Sequence, residues 1–273
     1  MLGSIEDVAF GPCPGAAALP PVDDDRGRWL RAVALGGQGR YAAAHAELAT
    51  LRRGCADAVL ESLAASTEAS LLRQLGWHRL ASGQDGRALA VLGGVRSPEA
   101  TAARADALTG LAADALGCGR LRLAFRLLDR CDEVLDASKG SESDAGRSGG
   151  SLWRQRIRLY WVTAETRLAS GDGAGGRAAA ARAVELASAS PSVRHRVKSE
   201  LLHAAAISAG SEPAAAVASA RAVLSQCEEH HLVPLQWAAA MLLGGVEPGS
   251  EADSVRRRCE ERIAAAGGRF RET

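Results

Sequence analysis

Apolar positions along the chain recur at three- and four-residue spacing, in segments of single-helix length. The first stripe is Trp29, Leu30, Val33 and Ala34, in a segment that opens near Arg26. The acidic run Asp23–Asp25 precedes it and can cap it. Tyr41, Ala44, Leu48 and Leu51 share one face of a second segment, 41–53. The stretch 57–82 has no proline and one glycine, Gly76, so it reads as one long helix or as two joined near Ser66. Its later stripe is Leu71, Leu72, Leu75 and Leu80; Gly83 ends it, and the pattern resumes over 87–92. Gly93, Gly94 and Pro98 mark a boundary. Helices are then predicted over 98–116 and 121–135, the second carrying Ala124, Leu127, Leu128, Cys131 and Leu135. Further segments run over 152–170, 177–189, 192–209, 213–227, 234–243 and 250–266. The last is charged on most faces, as the cap of a repeat array must be.

Two stretches carry no period. Residues 1–22 are rich in Pro, Gly and Ala and read as a flexible leader. Residues 137–151, ASKGSESDAGRSGGS, are polar and of low complexity and read as a flexible loop. Between them the helical pattern repeats. Five times an Ala/Leu-rich segment runs into a glycine and restarts, at Gly39, Gly83, Gly119, Gly171 and Gly210. The glycines lie 44, 36, 52 and 39 residues apart, and the longest interval contains the 137–151 insertion. This predicts an all-α array of about five helical hairpins with a C-terminal capping helix.

Composition supports that class. Hydrophobic residues make up 47% of the chain but aromatic residues only 4%, and alanine supplies much of the difference. Alanine is the best helix former and lets helices approach closely. Net charge is +1, so there is no electrostatic footprint for general nucleic-acid binding. Only Lys139 and Lys198 are lysines, and this arginine bias fits a GC-rich bacterial genome. The six cysteines are widely and irregularly spaced with no CxxC, which favours reduced thiols over a disulfide framework. The opening MLGSIEDVAFGPCPG has no basic segment and does not read as a secretory signal. The longest uncharged stretch, 230–246, is interrupted by Pro234 and Gln236 and is too short in its apolar part to span a bilayer. A cytoplasmic location with no membrane partner is expected.

In detail the units resemble tetratricopeptide repeats. A Leu–small pair leads to a Gly-containing turn, an alanine follows, and a large apolar residue stands four further on. The pattern appears as Gly39-Arg40-Tyr41 with Ala44 and Leu48. It recurs as Leu75-Gly76 then Gly83-Gln84-Asp85 with Ala88 and Leu92, and as Leu111-Ala112 then Gly119-Arg120-Leu121 with Ala124 and Leu128. The fourth and fifth units are degraded. The resemblance implies a right-handed α-solenoid over 23–267 and a concave surface lined by the first helix of each hairpin. In that register the surface would carry Trp29, Arg73, Trp77, Asp106, Arg158, Trp161 and Glu165. Aromatic and arginine side chains are the usual anchors at such surfaces.

Patterns that carry chemistry fail on context. Gly171-Asp172-Gly173-Ala174-Gly175-Gly176 matches GxGxxG, but a helical segment precedes it where a dinucleotide fold needs a strand. Gly146-Arg147-Ser148-Gly149-Gly150 matches GxSxG but lies in the polar insertion, not on a strand-to-helix elbow. Neither lysine follows a glycine, which excludes a Walker A loop, and HExxH is absent. Cys227, Glu228, Glu229, His230 and His231 are dense in potential ligands, but consecutive helical residues point 100° apart and no second cluster completes a metal site. Arg154, Arg156 and Arg158 with Arg194, His195, Arg196 and Lys198 would form a basic patch if their helices are neighbours; a solvated face offset by Glu165 and Glu200 is expected. No cofactor, no metal and no catalytic residue is expected. The expected function is a non-enzymatic protein–protein interaction module or regulatory adaptor that binds a partner segment on the concave face. Alternatives are a regulatory protein sensing a peptide or small molecule, and an α-helical enzyme with an unrecognised site. The partner's identity and the oligomeric state stay open.

Overall fold

In the computed structural model the described residues are 3–138, 152–210, 212–249 and 251–272, and they contain helices and connections but no strand. Most of the expected loop 137–151, and the GxSxG match within it, lies outside the described residues.

A short helix, α1 (Ile5–Phe10), comes first, within the segment whose sequence carries no period. Ser4 and Asp7 form a reciprocal capping box, and Val8 and Ala9 are buried. Six residues are too few for a stripe to register. Helices then follow as hairpins: α2 (Asp25–Gly37) with α3 (Tyr41–Gly54), α4 (Ala58–Gln74) with α5 (His78–Leu92), and α6 (Pro98–Gly117) with α7 (Leu121–Ala137). They continue as α8 (Trp153–Ala169) with α9 (Gly173–Ser188), α10 (Val193–Ser208) with α11 (Pro213–Glu229), and α12 (Val233–Val246) with α13 (Ala252–Ala265). The leading helices α2, α4, α6, α8 and α10 contact one another in succession and form an inner layer. Close approach is built from small residues: Ala32, Ala64, Ala105, Ala112, Ala164 and Ala204 are fully buried.

The leading helices end alike. After α2, α4, α6 and α8 a glycine with positive φ (Gly39, Gly76, Gly119, Gly171) reverses the chain. The next N–H returns to a carbonyl five residues back: Arg40 to Leu35, Trp77 to Leu72, Arg120 to Ala115, Asp172 to Arg167. This double closure satisfies the last carbonyls, and its left-handed residue favours glycine. It corrects one turn. Gly83 is not a turn residue; it lies inside α5, and Gly76 makes the turn. The misreading has a cause. In the true frame, Ala81 and position 85 match Ala44 and Leu48 of the first hairpin, but position 85 is aspartate. The shifted frame offers Ala88 and Leu92 instead, and both are also fully buried.

The first and last hairpins meet. The positions a Cβ would take on Gly37 and Gly39 lie against Arg194 of α10 and against Val233 and Pro234 of α12. The segment beyond α1 crosses this seam: Gly11 O accepts from Val193 N, and Gln38 Nε2 donates to Pro14 O and Ala16 O at 2.9 and 3.0 Å. The C-terminal tail closes the other side, with Ala42 N on Ala266 O and Arg271 N on Leu75 O. The array is thereby joined end to end around its inner layer. No described helix is long and apolar enough to cross a membrane.

Candidate functional site

The inner layer lines a partly open chamber of two adjoining parts. The larger, of about 410 Å³, lies between α4, α6, α8, α10 and the start of α5 and is lined by Arg73, His78, Thr109, Trp161, Glu165 and Lys198, among others. The smaller, of about 60 Å³, lies between α1, α2, α4, α6, α8 and α10, against Phe10, Trp29, Ser66, Arg154, Arg158, Arg194 and His195. Ser70, Gln74 and Arg158 line both parts.

Charge is dense here and almost entirely inward. Arg73 of α4 donates from Nε and Nη2 to the two oxygens of Asp114 at 2.8 and 3.1 Å, and from Nη2 to Asp85. Both carboxylates are about 1% exposed, on α6 and α5. A guanidinium fork suits this bridging because its donors are planar and fixed. Burial pushes the Asp85 carboxyl up to about 7, against the pull of Arg73. Gly110 makes room for that carboxylate, since a Cβ there would clash with it.

A second network centres on Asp106 of α6. It accepts from both terminal nitrogens of Arg154 at 3.2 and 2.5 Å, and from Gln155 Nε2 at 3.2 Å. Arg158 Nε lies 3.2 Å from Asp106 Oδ1, but is not aligned to hydrogen-bond it. Arg154 also lies over the Phe10 ring, 4.8 Å from its centroid. Arg194 of α10 donates to Val33 O at 3.3 Å, and no carboxylate among the described residues lies within ion-pair distance of it. Burial and then the neighbouring Arg158 and Arg154 push its pKa down to about 10. Burial, and then Arg194, hold His195 well below its ordinary value, so it is neutral near pH 7. Its ring stacks on Trp161 at 5.1 Å and meets the Trp153 edge at 5.0 Å. Lys198 Nζ sits 4.7 Å above Trp161 and is also lowered by burial, with Glu165 opposing.

Of the seven residues placed on a concave surface from sequence, Trp29, Arg73, Asp106, Arg158, Trp161 and Glu165 line this chamber. Trp77 lies elsewhere, at the start of α5, where its Nε1 donates to Arg269 O at 2.7 Å. Trp29 and Trp161 are buried and hydrogen-bonded, to Thr67 Oγ1 at 3.0 Å and Ser199 Oγ at 2.8 Å. The expected solvated basic face is corrected. α8 packs on α10, and Arg154, Arg158, Arg194 and Lys198 all turn inward; Arg156 and Arg196 instead bond backbone carbonyls, Leu135 O and Ser190 O. Sequence reasoning missed Asp85 and Asp114. The signal for Asp85 was present, as the one charged residue nine positions after a turn glycine, where Gly39, Gly119 and Gly171 are followed by Leu48, Leu128 and Ala180.

Other sequence matches fall outside the chamber. The GxGxxG stretch is a helix–turn–helix: Gly171 closes α8, and Asp172 caps α9 by accepting from Gly175 N at 2.8 Å. Cys227 is buried with its thiol pushed up to about 12, and no three potential ligands cluster as a metal site among the described residues. All six cysteines are free. No family model matches the chain, and no curated protein matches it.

Proposed function

We propose that this chain is a non-enzymatic helical-repeat binding module of tetratricopeptide type, and that its ligand enters the chamber lined by the inner layer. The observation that carries this reading is convergence. Arg73, Asp106, Arg158, Trp161 and Glu165 come from three helices, α4, α6 and α8, and all line one or other part of this chamber. Charged side chains turned into a protein's interior cost free energy that a purely structural core avoids. A chamber of this size is too narrow for a helix about 10–12 Å across. It fits an extended chain end or a compact ligand.

The joining of the first and last hairpins favours the sensing form of this reading over an open scaffold. A ligand bound inside contacts several hairpins at once and biases the packing of all of them. The test is affinity capture from native lysate with wild type, Glu165→Arg, Trp161→Ala and the exposed control Arg130→Ala. Binding in the chamber predicts loss of the same bound species in the first two variants and retention in the control. An unchanged set of bound species in all four overturns it.

A further inference from the structure

The smaller part of the chamber has a charge imbalance that the protein itself does not settle. Arg154 and Arg158 stand one turn apart on α8, where like charges repel. Arg194 faces them from α10, and all three line the same cavity. Asp106 is the one carboxylate on that lining, and it holds Arg154 in a two-pronged pair. His195 beside them is neutral and adds no countercharge. The lining therefore carries three cations and one anion, an excess of two positive charges in a partly desolvated space. Donors are left over as well. Arg158 Nε has no hydrogen-bond partner, and Arg194 has a backbone carbonyl at 3.3 Å where a carboxylate would normally sit. Ser66, 8% exposed, also lines the cavity. The cavity, about 60 Å³, holds a tetrahedral oxyanion but not a bulky group.

We propose that Arg158 and Arg194, backed by Arg154, bind a phosphoryl dianion, as free phosphate or as the end of a phosphate ester whose remainder lies in the larger chamber. This rests on the chamber being the binding site, and it names the ligand's chemical class. A dianion matches the excess charge, whereas a monocarboxylate leaves one buried cation uncompensated. Phosphoryl oxygens accept from guanidinium forks and from the Ser66 hydroxyl without a further proton. The ester's organic part would meet Trp161, Glu165 and Lys198 next door.

Calorimetric titration of the full chain at constant ionic strength tests this, with inorganic phosphate, glycerol 3-phosphate, glycerol and acetate as probes. Saturable binding of phosphate or its ester is expected, with none for glycerol and at least tenfold weaker binding for acetate. Tighter binding of the ester than of phosphate assigns the ester; the reverse order assigns the free ion. Arg194→Gln is expected to weaken binding tenfold or more. Asp106→Asn works in the opposite direction: it removes the competing carboxylate, so phosphate should bind several-fold tighter and raise Tm more than in wild type. That variant decides the matter if Arg194→Gln does not fold. Absence of saturable phosphate or ester binding, equal binding of acetate, unchanged affinity in Arg194→Gln, or no enhanced phosphate response in Asp106→Asn each overturn the proposal. Failure here, while Glu165→Arg still abolishes lysate capture, removes the oxyanion site and leaves the binding chamber standing. The reverse pair of outcomes removes the lysate partner and leaves the oxyanion site.

Discussion

At the residue scale the chamber is governed by charged pairs within and between hairpins: Arg73 with Asp85 inside one, Arg73 with Asp114 and Arg154 with Asp106 across two. Arg73 bridges two buried carboxylates, so its removal leaves Asp85 without its guanidinium and Asp114 with only His78 at 3.4 Å. Arg73→Ala is expected to lower unfolding free energy by about 3–5 kcal/mol in a denaturant titration. A loss below about 1 kcal/mol would mean that the two aspartates find other partners. Asp85 also sets a pH signature. Its carboxyl is raised from an ordinary 3.8 to about 7 in the folded chain. The folded state therefore binds the proton more tightly than the unfolded one. The contribution is fully present below about pH 4 and is lost as pH rises through about 7. Asp85→Asn should flatten the stability–pH curve across that window; an unaltered slope would assign it to other groups.

At the element scale two glycines separate the observed α4–α5 turn from the one the sequence suggests. Gly76 has φ +85 and makes the α4–α5 turn. Gly83 lies inside α5 with open space where a Cβ would be added. Gly76→Ala is expected to cost about 1–2 kcal/mol from left-handed strain. Gly83→Ala is expected to stabilise by about 0.5–1 kcal/mol, because a mid-helix glycine only adds unfolded-state entropy. Thermal unfolding of the two variants should thus shift in opposite directions; equal destabilisation would return the turn to Gly83. Much of the element level was legible in the sequence, because helical periodicity, caps and glycine turns are local. Helix α7 is a case: its predicted 121–135 and observed Leu121–Ala137 share the same stripe, with Ala124, Leu128, Cys131 and Leu135 buried. What was not legible depends on a partner in another hairpin. Arg154 and Arg194 read as a solvated face because arginine is normally exposed, and only the α8–α10 contact turns them inward. Asp85 hid the second turn by standing where the neighbouring hairpins put an apolar residue.

At the scale of the whole molecule, closure distinguishes this chain from an open array, in which each unit touches only its neighbours. The tail after α13 supplies much of that closure. Gly268 packs where a Cβ would strike Tyr41 and Ile263, and Trp77 donates to Arg269 O. Phe270 lies against Trp237 at 4.8 Å between ring centroids, and Trp237 Nε1 donates to Glu260 Oε1 at 3.0 Å. These contacts tie α12 and α13 to the turns of the first two hairpins, elements almost two hundred residues away in sequence. A chain cut after Ala266 keeps all the helices but loses this tie. It should unfold at lower denaturant, by about 2–4 kcal/mol for the half-buried Phe270 and the lost backbone bonds together. Its backbone amides in α2, α3, α12 and α13 should exchange faster, while those of α6 to α8 keep their protection. Phe270→Ala should give a smaller shift in the same helices. Uniform loss of protection along the whole chain would show that the ring unfolds as one unit, and unchanged protection in α2 and α3 would show that the N-terminal crossing at Gly11–Ala16 holds the seam alone.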